Sequence, residues 1–66
     1  MNELPPIVAY RVVDRSEKRI YQGPDLDAAW HAAMMHDKPA TVYTRREKSR
    51  YWAVYTYARP DPNYRR

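Results

Sequence analysis

The sequence predicts a small α+β domain in the order ββαββ, a four-stranded, mainly antiparallel sheet with one helix packed on one face. Three observations predict it. Two stretches rich in β-branched and aromatic residues precede a single Ala-rich helical stripe, and two more come after it. Gly23-Pro24 and Pro39 punctuate the chain on either side of that stripe. The 66 residues suffice for one core and no second domain.

Residues 1–6 are a lead ending in Pro-Pro. IVAYRVVD over residues 7–14 reads as a strand, because branched and aromatic side chains suit a pleated, half-buried surface. The polar RSEK over 15–18 turns the chain, and RIYQ over 19–22 returns it, closing a hairpin. Asp25 then offers a carboxylate to the unpaired N–H groups of a helix N-terminus, and Asp27 adds negative charge in the first turn. Leu26, Ala29, Trp30, Ala33 and Met34 recur at helical spacing and form the apolar stripe. The helix is expected to end near Asp37-Lys38, since Pro39 disfavours helical backbone at the residue before it. ATVYTR over 40–45 is the third strand, REKS over 46–49 a charged turn, and RYWAVYTYA over 50–58 the fourth strand. The expected domain spans 1–58. RPDPNYRR over 59–66 has no apolar period and reads as a flexible basic tail.

One helix covers one face, so the period of two divides each strand into a buried and an open set. With Arg11 turned to water, Ile7, Ala9 and Val13 go with it, and Val8, Tyr10 and Val12 turn inward. Ile20 and Val42 are expected inside. In the fourth strand Trp52, the larger apolar body, is placed inside with Val54, which sends Tyr51, Ala53, Tyr55 and Tyr57 outward. The open face would then carry Tyr21, Tyr43, Tyr51, Tyr55 and Tyr57 among Arg11, Arg19 and Arg45. Arg46, Lys48 and Arg50 of the adjoining turn would extend its positive charge.

Charge divides along the chain. Residues 1–37 hold four basic and six acidic side chains, a net of −2, and residues 38–66 hold eight and two, a net of +6. A basic half attracts a polyanion or an acidic protein face. Other chemistries fare poorly. With no Cys there is no disulfide scaffold, thiolate metal site or thiol nucleophile, and the single Gly excludes a phosphate-cradling loop. His31 and His36 stand five residues apart, the wrong spacing for a helical metal pair. Asp27 and His31, four apart, are two groups and not a site. No nucleophile has an evident base, so no enzyme, cofactor or metal is expected. There is no apolar run of membrane-spanning length, and MNELPPIVAY lacks the pattern of a signal peptide. The expectation is a soluble, cytoplasmic protein.

The tyrosine face admits three readings. Tyr and Arg are the typical anchors of a protein interface, with a host protein or with a second copy sheet to sheet. The same pair binds single-stranded nucleic acid, rings stacking on bases and guanidiniums on phosphates. Cross-strand Tyr pairs also stabilise a small sheet with no partner. The protein interface is favoured, with nucleic acid as the alternative. Arg50–Tyr57 shares Arg50, Ala53 and Tyr57 with the aromatic octamer of RNA-recognition motifs. Tyr51 stands at the octamer's glycine, and Val54 and Tyr55 break its middle, so the likeness is one of aromatics on a sheet.

The segment GPDLDAAWHAAMMHDKPATVYTRR, a capped helix after a hairpin and before a β-branched strand, resembles in layout the small ββαββ proteins of phages and mobile elements, some inhibitors of CRISPR interference among them. The resemblance rests on element order and carries over no residue. It implies an accessory protein acting sterically, by occupying a host protein's working surface. Many such inhibitors are acidic imitators of nucleic acid. A basic chain suits instead a protein that touches nucleic acid or an acidic protein surface.

Overall fold

The structure, a computed structural model, describes residues 4–61 and 63. Of the basic tail expected over 59–66, residues 62 and 64–66 lie outside the described residues. Strands β1 (Ile7–Asp14), β2 (Arg19–Gly23), β3 (Ala40–Arg46) and β4 (Ala53–Ala58) and helix α1 (Leu26–Met35) keep the expected order. They form one sheet, β2-β1-β3-β4, in which every neighbouring pair is antiparallel. The two hairpins thus meet through their first strands, β1 and β3, at the centre. No helix among the described residues is long and apolar enough to cross a membrane.

The helix starts as its sequence dictates. Asp25 is the N-cap, its carboxylate accepting from the Asp27 N–H at 2.9 Å. The helix stops at Met35, two residues short of the expected end, with His36 already extended at its C-cap. The reason lies outside the helix: His36 Nε2 reaches 3.0 Å to the Asp14 carboxylate at the end of β1.

The core is built from small side chains. Val12, Ala29, Ala33, Met34, Ala40, Val42 and Ala58 are buried, with Tyr10, Ile20 and Tyr21 packed against them. Ala29 and Ala33 are one helical turn apart and face Val12, Val42 and the strand alanines, so the helix can lie close to the sheet. Asp14 and Thr44 are the buried polar residues. Neither tryptophan is in this core. Trp30, expected in the apolar stripe, is 37% exposed.

Three irregularities change which side chains share a face. Cross-strand pairs run Val12↔Tyr21 and then Val13↔Arg19, so Ile20 is an extra residue in β2. Ile7↔Arg46 and Ala9↔Arg45 leave Val8 extra in β1, and Val42↔Thr56 with Tyr43↔Val54 next to it leaves Tyr55 extra in β4. Each is a bulge that shifts the alternation by one residue. Val8, expected inside, is consequently exposed.

Candidate binding face

Paired residues project to the same side of a sheet, so the pairing defines the face opposite the helix. One row across it is Gln22, Arg11, Tyr43 and Val54, and the next is Arg19, Val13, Thr41 and Tyr57. Ala9 and Arg45 form a third. Trp52, just before β4, completes this end. Its ring reaches across β3, with the Arg11 guanidinium 4.2 Å and the Arg45 guanidinium 5.8 Å from the ring centroid. Each such cation–π contact contributes about 0.5–2 kcal/mol, more as water is excluded.

This arrangement corrects the expected face. Trp52 and Val54 are on the open side and not inside. Tyr21 is not on the open face: it pairs with Val12, packs on the core, and its hydroxyl accepts from the Asp25 N–H at 3.3 Å. Tyr55 is not there either. It meets Tyr10 edge to face at 6.4 Å between centroids and lines a groove with Leu26, Asp27, Trp30 and Thr56. Tyr51 lies in a shallow hollow with Pro5, Thr44, Arg46 and Ala53, on the helix side. Arg46 is in that hollow too, donating to the Pro5 carbonyl at 2.6 Å. Tyr43 and Tyr57 are the two expected tyrosines that the open face keeps.

The expected cations fare better. Arg11, Arg45, Lys48 and Arg50 line one shallow groove with Gln22, Ser49 and Trp52, and no carboxylate lines it. Arg19 lies further along the face, beside Val13 and Glu17. Arg11 Nε donates to Gln22 Oε1 at 3.1 Å, and an Arg45 terminal N–H to the Ser49 carbonyl at 2.8 Å. Both acceptors are neutral, so neither charge is cancelled. Among the described residues no Arg or Lys is ion-paired with a carboxylate, the pairs found being those of His36 with Asp14 and Asp37. A guanidinium has five N–H donors, and one from each of these two is engaged within the chain. Both guanidiniums lie against the indole in a groove open to solvent. Chemically this is a seat for oxygen anions next to flat apolar rings.

No protein-family model matches this chain, and no curated protein or solved structure shows significant similarity to it.

Trp52 is the misplaced residue that matters most to this face. A signal is present in the chain itself: Arg11 and Arg45 both fall in the outward set of their strands, and a tryptophan outward at the next strand meets two cations. Asp14 and His36 carry no such signal, being 22 positions apart and part of no motif.

Proposed function

We propose that this chain is a non-catalytic binding module whose open sheet face takes up single-stranded nucleic acid. One observation carries the reading: two guanidiniums are fixed against one indole with their charge uncancelled, in a groove that Lys48 and Arg50 extend and no carboxylate lines. Phosphates would sit on Arg11, Arg45, Lys48 and Arg50. Bases would stack on the exposed parts of Trp52 and on Tyr57, which is 76% exposed on the same face.

The host-protein reading, favoured on the sequence, rests on five tyrosines sharing a face, and two share it. A specific observation still favours it as the second reading. Val54 and Tyr57 leave apolar surface beside the cations, the mixture a protein partner with an acidic rim would fit. In that case the module acts by steric blockade, as its layout suggests.

Fluorescence anisotropy separates the two. Labelled single-stranded DNA, single-stranded RNA and duplex DNA are titrated at about 50 and about 200 mM salt. The expected result is single-strand binding that weakens steeply with salt, with Arg45→Ala lowering the salt slope by about 1. Absence of binding at the lower salt rejects the nucleic-acid reading and leaves the face to an acidic protein.

A further inference from the structure

We propose that β4 is a self-pairing edge, and that two copies of this chain join through it into one eight-stranded sheet. The proposal does not depend on what the open face binds. β4 is one of the two edge strands, and its six residues, AVYTYA, include no charge and no proline to block a second strand. The helix packs mainly on β2, β1 and β3 and covers the near side of β4 only in part, burying Ala58 and leaving Tyr55 half exposed. Leu26, Asp27, Trp30, Tyr55 and Thr56 line the groove that results, with Trp30 37% and Tyr55 50% exposed.

A regular strand can pair antiparallel with its own copy about a residue, and the bulge at Tyr55 moves that centre to a peptide. Ala53 pairs with Thr44, Thr56 with Val42 and Ala58 with Ala40, all on the helix side, where Tyr55 also contacts Tyr10. Val54 and Tyr57 are on the open side. The order of faces therefore reads the same in both directions from the Tyr55–Thr56 peptide. Antiparallel pairing about that point sets Val54 opposite Tyr57, Ala53 opposite Ala58 and Tyr55 opposite Thr56, each pair on one face. Strict alternation would turn every one of these pairs to opposite faces.

One pair of opposite charges fits this register. Beyond the strand ends at Ala53 and Ala58, where Pro60 stops further pairing, the register brings Arg59 of one copy towards Trp52 of the other, and Asp61 of one towards Arg50 of the other. Within a single chain neither Arg50 nor Asp61 has an ion-pair partner among the described residues. The two-fold axis stands perpendicular to the sheet, so both helices lie on one side and the two Leu26–Trp30–Tyr55 grooves meet at the axis. Both Arg–Trp clusters then share the opposite surface.

Sedimentation across a dilution series tests this, since a dimer forms by mass action. The expected mass rises with concentration from 7.9 kDa towards twice that value. Arg50→Glu or Asp61→Lys alone is expected to weaken association about tenfold, because symmetry doubles each altered pair. The double variant is expected to restore it, while far-ultraviolet circular dichroism confirms that all three stay folded. A mass fixed at 7.9 kDa at every concentration overturns the proposal, leaving the edge to a strand of another protein. A dimer indifferent to the single changes, or a double variant as weak as the singles, overturns the pairing through β4.

Discussion

Asp14 shows how much one buried carboxylate organises. Its Oδ1 accepts from the Ser16 N–H at 2.9 Å, the Ser16 hydroxyl at 2.7 Å and the Lys18 N–H at 3.0 Å. Its Oδ2 meets His36 Nε2 at 3.0 Å. One side chain thus closes the β1–β2 turn, where Glu17 takes a left-handed φ of 65°, and ties that turn to the end of the helix. The Ser16 hydroxyl first, then the Lys18 N–H, hold the carboxyl far below the usual carboxylate range, against the opposing effect of burial. A depressed folded-state value means that this stabilisation is complete above the unfolded value, about 3.9, and is lost as pH falls below it. Thermal melts of the wild type are therefore expected to drop steeply below about pH 4. Asp14→Asn, which keeps the shape but not the charge, is expected to melt lower at neutral pH and to lose less on acidification. Equal acid sensitivity in the two proteins would show that other carboxylates dominate.

At the scale of elements, local chemistry is legible in the sequence and alternation is not. The N-cap, the helical stripe and all four strands come from residue types over short windows, although β4 begins at Ala53 and not at residue 50 as expected. Asp25→Ala, removing the cap, is expected to cost about 1 kcal/mol of stability in denaturant unfolding. A cost near zero would mean that the Tyr21 hydroxyl, which accepts from the Asp25 N–H, holds the helix start by itself. The same contact bears on Gly23. A Cβ placed there would come within 2.6 Å of the Tyr21 hydroxyl oxygen, so Gly23→Ala must displace that ring from the helix start. A loss of about 1 kcal/mol is expected, and a gain would show that the ring yields freely. Faces are legible only up to the first bulge. Ile20 and Tyr55 are extra residues with nothing unusual in their identity, and each reverses the alternation on one side of itself along its strand. Bulges arise from strand pairing, which no short window contains. Trp52 departs from expectation through the same bulge: it lies on the reversed side of Tyr55 and turns to the open face with Val54, where two arginines offer its ring a seat.

Across the whole molecule, the uneven charge of the sequence becomes uneven charge between two sides of a sheet. Arg11, Arg45, Lys48 and Arg50 crowd one groove, whereas Asp25 and Asp27 mark the helix N-terminus behind it. Like charges held close together without partners oppose folding, because the unfolded chain lets them separate. Neutralising one that makes no structural contact should therefore stabilise the domain, at the expense of whatever the groove binds. Lys48 is such a group: it lines the groove, and among the described residues no hydrogen bond or ion pair involves its side chain. Lys48→Gln is expected to raise stability by a few tenths of a kcal/mol at low ionic strength, with the gain vanishing near 1 M salt, where the screening length is about 3 Å. Adding a single-stranded oligonucleotide should reverse the ranking. At a free concentration of about 100 times its Kd, a ligand adds about 2.7 kcal/mol to the folded state, and Lys48→Gln, binding more weakly, gains less at the same concentration. Melts of the two proteins with and without the oligonucleotide, at low and high salt, give all these comparisons together. A variant less stable than the wild type at low salt would mean that the groove's charges are already compensated within the chain, and the case for an anionic partner would lose its physical basis.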